Sequence, residues 1–183
     1  MSDNSFEKDI EFLTANLDRY ADFPKPGINF RDTFALFRNP VTYKKVIDIF
    51  TDHISKLGAD VIVGLESRGF ILGGAICYNL GIPFVPIRKK GKLPGKVVEF
   101  KYELEYGQDV FEIQEAAIKK GAKVVIVDDL IATGGSCMAA IELLKKVQAE
   151  VVECVVLVEL TDLDWRSKVS TKTTSFIKID SSS

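Results

Sequence analysis

The sequence contains few of the residues from which metal sites and disulfide frameworks are built. Its 183 residues include three cysteines, none of them in CxxC spacing, and a single histidine. A zinc site with cysteine and histidine ligands is therefore excluded in practice, and the isolated thiols indicate an intracellular protein. A chain of this length buries about two thirds of its unfolded surface, so it can form a core without such cross-links.

The sequence also lacks a strong excess of charge of either sign. Its formal net charge is −2, with 46% hydrophobic and 27% charged residues, a balance that excludes a wholly disordered chain. Because no overall positive charge attracts phosphate-rich surfaces, we expect neither a nucleic acid nor a membrane as partner. An anionic ligand would have to be held by locally clustered basic residues. The length suits one domain, at roughly 100–200 residues per domain.

One uncharged stretch approaches the length of a membrane span. Gly69 to Ile87 carries no charge over 19 residues, but it includes four glycines and two prolines and breaks at Gly81. A span needs about 20 predominantly apolar residues, so we interpret the stretch as a buried helix followed by a buried strand. The N-terminal residues MSDNSFEKDIEF have no apolar core of a signal peptide. A soluble, cytoplasmic protein is expected.

Apolar periodicity predicts short strands that alternate with helices. Helical spacing runs over residues 6–17, 40–57, 69–80 and 136–147, and strand-like runs cover 61–65, 84–87, 123–127, 151–160 and 176–179. This alternation predicts one α/β domain with a central, mainly parallel sheet flanked by helices. Ligands of such sheets gather at the carboxyl ends of the strands.

A basic segment interrupts this pattern in the middle of the chain. Arg88 to Lys96 reads RKKGKLPGK, with five basic residues and no acidic one, which predicts an exposed loop. The following run, Val97 to Leu104, is compatible with a strand or with a mobile arm, and Phe111 to Ile113 with another strand. Taken alone, such a basic run is most often a solvated face or a weak nucleic-acid patch.

The most specific motif is VVIVDDLIATGGS, at Val124 to Ser136. A buried strand leads to two adjacent carboxylates, Asp128 and Asp129, and then to a loop of glycine and hydroxyl residues before a helix. Successive backbone N–H groups beside a helix N-terminus form a phosphate cradle, to which Thr133 can add a hydroxyl donor. The carboxylates suit a diol or a metal carried by the ligand, although they could also cap the turn. Neither GxxxxGK[ST] nor a helix-opening GxGxxG is present.

This motif resembles the diphosphate-sugar loop of the type I phosphoribosyltransferases. Four further segments are similar to those of the adenine phosphoribosyltransferases within that family, in the same order along the chain. They are FPKPGINFRD (Phe23–Asp32), GLESRGF (Gly64–Phe70), IRKKGKLPG (Ile87–Gly95) and LEYG (Leu104–Gly107).

The resemblance implies the type I phosphoribosyltransferase fold with a flexible hood and a basic arm. Residues 1–37 would form the N-terminal helix and purine-binding hood elements, about 88–108 the flexible arm and hood, and 124–136 the phosphoribosyl-diphosphate loop. The implied reaction transfers the 5-phosphoribosyl group from phosphoribosyl diphosphate to adenine, which gives AMP and diphosphate. Mg²⁺ is the implied cofactor, and a homodimer the implied assembly.

The resemblance also assigns roles to individual residues. The 5-phosphate would lie against Ala132, Thr133, Gly134, Gly135 and Ser136. Asp128 and Asp129 would accept hydrogen bonds from the ribose hydroxyls, and they are also the candidate direct ligands of Mg²⁺, which otherwise binds through substrate oxygens. Diphosphate would be neutralised by Arg68, Arg88 and Lys92, with Arg88 serving either its own subunit or a neighbour's.

The base would be held by a separate group of residues. Phe30 and Leu130 would sandwich adenine, while Asn29 and Arg31 would read its edge. Arg31 could instead form a structural ion pair with Asp32. Glu105 would exchange a proton with the base, beside Tyr106 in the hood.

Three alternatives compete with this interpretation. An enzyme for hypoxanthine, guanine or xanthine is disfavoured by the PGINFRD and KLPG segments. A non-catalytic sensor of phosphoribosyl diphosphate would be expected to carry a DNA-binding domain, whereas about 20 residues precede the first motif. A degraded paralogue is opposed by the complete set of motif residues.

One residue departs from the pattern of the related sequences. It is Trp165, where relatives commonly carry the glycine of a GREKL-like segment, so the packing of a C-terminal helix there is in question.

Overall fold

The structure is a computed structural model that describes residues 3–104 and 107–181. The helices in these ranges are α1 (Asp3–Ala15), α2 (Phe34–Arg38), α3 (Pro40–Ile54), α4 (Arg68–Leu80) and α5 (Gly135–Lys146). The strands are β1 (Asp18–Tyr20), β2 (Phe30–Asp32), β3 (Val61–Leu65), β4 (Phe84–Lys89), β5 (Val97–Leu104), β6 (Gly107–Gln114), β7 (Lys123–Ile131), β8 (Glu150–Leu160) and β9 (Thr173–Ile179).

A seven-stranded sheet forms the centre, with strand order β5-β6-β4-β3-β7-β8-β9. The strands from β4 to β9 in this order are parallel, whereas β6 pairs with β4 and β5 in antiparallel fashion. The predicted α/β class with a mainly parallel central sheet is therefore confirmed. Strands β1 and β2 form a separate antiparallel pair.

Helices cover both faces of the sheet. Successive residues along each strand point to opposite faces, so apolar side chains on both faces need to be covered. Ile62 and Val125 belong to one apolar cluster, which also includes residues of α1, α3 and α4. Val63 and Ile126 belong to the other, which includes the buried side of α5. This two-sided burial explains why the central strands read as continuous apolar runs rather than as an alternating pattern.

The uncharged stretch forms α4 and β4, as predicted. Gly81 ends α4 in the left-handed conformation, with φ of +67°, and its N–H donates to the Cys77 carbonyl at 2.9 Å. Glycine adopts this conformation without the steric penalty of a Cβ. Within the described part of the chain, no helix is long and apolar enough to cross a membrane.

The basic segment is a loop between β4 and the β5–β6 hairpin, so Val97 to Leu104 is a strand. Glu112 of β6 is only 2% exposed and lies under this loop. Its carboxylate accepts hydrogen bonds from the backbone N–H groups of Gly91 (3.0 Å), Lys92 (2.7 Å) and Leu93 (2.7 Å). Burial opposes ionisation, yet these bonds lower the pKa of Glu112 below its ordinary value. A buried carboxylate thus fixes the path of the basic loop.

Gly69 allows α4 to begin close against β7. A Cβ at this position would lie 2.5 Å from the Val127 carbonyl oxygen. We expect Gly69→Ala to lower the free energy of unfolding by about 2–3 kcal/mol, because backbone must move to admit the methyl group. Gly74→Ala is the matched control in the same helix, since nothing lies within 4 Å of its Cβ. It should stabilise by up to about 1 kcal/mol in urea unfolding; equal effects of the two variants would contradict the packing argument.

Candidate active site

Two adjacent cavities lie at the carboxyl ends of β3, β4 and β7. The strand-end cavity, of about 300 Å³, is lined by Glu66, Ser67, Arg68, Lys89, Tyr102, Asp109, Phe111, Asp128, Asp129, Leu130 and Ser136. The loop cavity, of about 140 Å³, is lined by residues 130–137 with Leu65, Asp128, Cys154 and Val156. Asp128, Leu130 and Ser136 line both, so the predicted carboxylates and the predicted phosphate loop border adjacent cavities.

The two carboxylates lie within the last part of β7, which extends to Ile131 beyond the predicted strand, and they have different surroundings. Asp129 is 3% exposed, and its Oδ2 accepts hydrogen bonds from Arg68 Nε at 2.5 Å and Thr33 Oγ1 at 2.6 Å. Asp128 accepts a bond from the Asp129 N–H at 3.0 Å. Burial, followed by the neighbouring charge of Asp129, raises the pKa of Asp128 well above its ordinary value. Asp129 therefore fixes Arg68, and both carboxylates remain beside the strand-end cavity.

The phosphate loop joins β7 to the N-terminus of α5. Gly134 has φ of +77° and stands at the N-cap position, and its carbonyl accepts the first intrahelical bond from Met138 N–H at 2.9 Å. No side chain caps this helix. The first backbone N–H groups of a helix lack intrahelical partners and attract anions. Together with the hydroxyls of Thr133 and Ser136, they make the loop cavity suitable for a phosphate group.

Two cations of the basic arm, those of Arg88 and Lys92, pair with Glu66, which directly follows β3. Arg88 Nη2 lies 3.2 Å and Lys92 Nζ 2.7 Å from Glu66 Oε1, while the Lys89 N–H donates to Oε2 at 3.1 Å. Burial opposes ionisation, but the bonds from Arg88 and Lys92 lower the pKa of Glu66 to about 2. The peptide bond between Glu66 and Ser67 is cis. The predicted diphosphate residues Arg88 and Lys92 do not line the strand-end cavity themselves, but both are held against Glu66, which does.

Sequence patterns missed four residues of the site. Thr33 supports Asp129, and Lys89 forms an ion pair with Asp109 at 2.8 Å. Tyr102 of β5 interacts with Ser136 and Asp109, and burial raises the pKa of its hydroxyl to about 12. For two of these residues the sequence gives a weak indication of a role in the site: Lys89 lies within the basic run, and Thr33 directly follows FRD. The other two residues become visible only when β5 and β6 pair.

The predicted adenine residues are distributed over two elements. Phe30 and Arg31 belong to β2, directly after Asn29, and the Phe30 ring lies 5.1 Å from that of Phe23. Leu130 lies at the end of β7 and lines both cavities. The hydrogen bond from Thr33 to Asp129 ties the end of the β2 segment to β7. Glu105 and Tyr106 lie outside the described residues.

A larger cavity than these two lies elsewhere. A groove of about 560 Å³ is found at the amino ends of β3 and β7, lined by Asp60, Val61, Pro83 and residues 117–122. Its one carboxylate already accepts a bond from the Lys123 N–H at 2.8 Å. The converging carboxylates, cations and helix N-terminus are all at the opposite ends of these strands, where parallel sheets bind ligands.

A family model described as phosphoribosyl transferase domain matches residues 33–181. The chain belongs to the phosphoribosyltransferase family. The match includes the Asp128–Asp129 pair, the phosphate loop and the basic arm, and begins after the three candidate residues 29–31.

Within the phosphoribosyltransferase family, similar proteins include adenine phosphoribosyltransferases from several organisms. The one from Drosophila pseudoobscura pseudoobscura is 47% identical over 180 residues, which cover 97% of this chain and 99% of the relative. The one from Cricetulus griseus is 46% identical over 166 residues, or 89% of this chain and 92% of the relative.

Solved phosphoribosyltransferase structures agree with the fold. The Saccharomyces cerevisiae adenine phosphoribosyltransferase, in complex with an imino-altritol bisphosphate and adenine, is 44% identical and superimposes with a TM-score of 0.90. The alignment covers 93% of this chain and 99% of that structure. A Trypanosoma brucei structure with AMP, pyrophosphate and ribose-5-phosphate is 26% identical with a TM-score of 0.85, over 97% of this chain and 81% of that one.

Proposed function

We propose that this phosphoribosyltransferase, a pentosyltransferase, transfers the 5-phosphoribosyl group from phosphoribosyl diphosphate to adenine. The products are AMP and diphosphate. The observation that carries the proposal is that Asp128, Asp129, Arg68 and the phosphate loop line two adjacent cavities. The choice of adenine is supported by the named relatives and by the adenine bound in the yeast structure.

The loop and the carboxylates would fix the sugar. Backbone N–H groups of Ala132 to Ser136 and the α5 N-terminus hold the 5-phosphate, while Asp128 and Asp129 accept hydrogen bonds from the ribose hydroxyls. Anchoring both ends of the ribose leaves the anomeric carbon over the strand-end cavity. Displacement there passes through an oxocarbenium-like state, so the reaction is accelerated when the departing diphosphate is stabilised by positive charge.

Arg68, Arg88 and Lys92 would supply that charge. Arg68 is already fixed by Asp129, whereas Arg88 and Lys92 are paired with Glu66. Diphosphate would replace Glu66 as the partner of Arg88 and Lys92, because the several anionic oxygens of diphosphate offer more acceptors than one carboxylate. Glu66 thus keeps the arm's cations close to the place where the leaving group forms.

Magnesium fits this site as a partner of the substrate. Among the described residues, no three His, Cys, Asp or Glu side chains are grouped to hold a metal. Mg²⁺ commonly binds through one or two carboxylates together with substrate phosphates and waters, which is what Asp128 and Asp129 with phosphoribosyl diphosphate offer. When bound, the ion would neutralise charge on the diphosphate.

The base would enter from the side of β2. Phe30 and Leu130 sandwich adenine, Asn29 and Arg31 contact its edge, and Glu105 accepts the proton that the ring nitrogen loses on attack. The hood that carries Glu105 and Tyr106 would exclude water, whose attack would hydrolyse the sugar diphosphate.

We also infer a homodimer in the cytoplasm. The buried free thiols Cys77, Cys137 and Cys154 fit a reducing compartment.

A diphosphate-release assay with phosphoribosyl diphosphate, Mg²⁺ and each purine base offered separately tests the function. Release with adenine alone is expected. Release only with hypoxanthine, guanine or xanthine would keep the phosphate loop and overturn the roles of Asn29 and Arg31. Tight binding of phosphoribosyl diphosphate without release on any base would identify a sensor instead.

Glu105→Ala is expected to lower kcat by about 10²-fold, the lower range for loss of a general acid–base group. The KM for phosphoribosyl diphosphate should change little, because Glu105 is assigned to the base. Steady-state kinetics measures this, with Glu99→Ala in β5 as the control. An unchanged kcat in Glu105→Ala would remove Glu105 as the proton acceptor.

A further inference from the structure

The back of the phosphate loop is packed against a turn between β8 and β9. A Cβ on Gly134 would lie 3.0 Å from Trp165 Cβ, 3.2 Å from Val169 Cγ2 and 3.3 Å from the Trp165 carbonyl oxygen. Trp165 is 2% and Val169 6% exposed. The loop therefore has the loop cavity on one side and a wall of buried side chains on the other.

This turn is held in place by its own hydrogen bonds and by an ion pair. The Trp165 carbonyl accepts bonds from the Lys168 N–H at 3.0 Å and the Val169 N–H at 3.2 Å, which keeps both wall residues in one turn. Arg166 pairs with Glu159 at 2.5 Å, and Glu159 is 2% exposed at the end of β8. The guanidinium carbon of Arg166 also lies 4.2 Å from the centre of the Trp165 ring. The wall is thus tied to the central sheet.

We propose that Trp165 is a positioning residue that holds the phosphate loop in its phosphate-binding conformation. A loop with two adjacent glycines has many accessible backbone conformations, and only some aim its N–H groups at one point. A fixed wall behind Gly134 excludes the conformations in which the loop moves away from the cavity. Binding then needs less ordering, which increases affinity.

The inference rests on the proposed function, because it assumes that the loop binds the substrate's 5-phosphate. It predicts a particular kinetic pattern. The 5-phosphate is held in both ground and transition state, so a misplaced loop raises KM with little change in kcat. A general loss of stability would have no such preference for one substrate.

Trp165→Ala is expected to raise the KM for phosphoribosyl diphosphate and the Kd for ribose 5-phosphate about tenfold, with kcat and the KM for adenine within about twofold. Val169→Ala, which removes less core volume, should give the same pattern more weakly. Phe50→Leu is the control, since Phe50 is buried in the cluster on the opposite face of the sheet. It should lower the unfolding temperature without raising the KM for phosphoribosyl diphosphate.

Tryptophan fluorescence gives a readout that does not depend on activity. Trp165 is the only tryptophan in the chain. Titration of the wild type with ribose 5-phosphate should therefore give a saturable emission change, and adenine alone should give none. Isothermal calorimetry measures the same binding independently.

The outcomes separate this inference from the proposed function. Calorimetric binding without an emission change, and with an unaltered KM in both wall variants, would overturn the inference alone. A lower kcat together with an equal rise in the KM for phosphoribosyl diphosphate and in the KM for adenine would also overturn it, because this pattern would show a merely structural role. No calorimetric binding of ribose 5-phosphate to the wild type would overturn the inference, whereas no diphosphate release by the wild type with any purine base would overturn the proposed function and the inference with it.

Discussion

The double variant Asp128→Asn, Asp129→Asn is expected to lose at least about a hundredfold in kcat/KM for phosphoribosyl diphosphate. Each carboxylate is proposed to accept a hydrogen bond from a ribose hydroxyl, and a bond to a charged group contributes about 1.5–3 kcal/mol. The loss of Asp129 also leaves Arg68 without its 2.5 Å partner beside the strand-end cavity. Steady-state kinetics with adenine held at saturation measures the effect.

Two controls isolate the site. Asp48→Asn with Asp52→Asn removes the same two charges from the exposed side of α3, where they pair with Lys44 and Lys56. That variant should retain its kinetics. Thr33→Val removes only the hydroxyl that donates to Asp129 and should give a smaller loss. Wild-type kcat/KM in the Asp128, Asp129 double variant would refute the ribose assignment.

Gly134→Ala is expected to be nearly inactive and destabilised by about 2–5 kcal/mol. Its φ of +77° disfavours any side chain, at about 1–2 kcal/mol, and its Cβ would press on Trp165 and Val169, which adds about 1–3 kcal/mol. The loop can relieve the collision only by moving toward the loop cavity, where the 5-phosphate is proposed to bind. Activity and urea unfolding of the purified variant test both parts.

Gly121→Ala separates backbone conformation from collision. Gly121 has φ of +75°, but nothing lies within 4 Å of its Cβ. This variant should lose about 1–2 kcal/mol through conformation alone and keep its kinetic constants. If Gly134→Ala lost no more stability and activity than Gly121→Ala, the wall behind the loop would have no effect.

The parts of the fold that depend on local pattern could be predicted from the sequence. The strand from Val61 to Leu65 was predicted at its observed bounds. The Asp128–Asp129 pair was predicted directly after a buried strand, whereas β7 continues through both residues to Ile131. Both follow from runs of apolar residues and from the turn chemistry that succeeds them. The β5–β6 hairpin remained open as strand or mobile arm, because Val97 to Leu104 has polar and apolar residues whose burial depends on their partner strand.

The contacts between distant segments could not be predicted. Thr33 and Asp129 are 96 positions apart, and Arg68 and Asp129 are 61 apart, so no local spacing indicates either hydrogen bond. The sequence marks Trp165 only as a departure from related sequences, and it leaves the packing of a C-terminal helix around this residue in question. The described residues between β8 and β9 instead form turns, and only the folded sheet brings Trp165 against Gly134.

The ion pairs of the basic arm also bear on how quickly a polyanionic substrate can arrive. The cations of Arg88, Lys89, Lys90 and Lys92 each lie within 3.2 Å of a carboxylate of Glu66, Asp109 or Glu99. Paired charges project little field beyond the Debye length, about 8 Å in physiological salt. Long-range steering is therefore weak despite the local density of lysine, and the association rate should vary little with ionic strength. Attraction develops at contact, when phosphate oxygens replace the carboxylates.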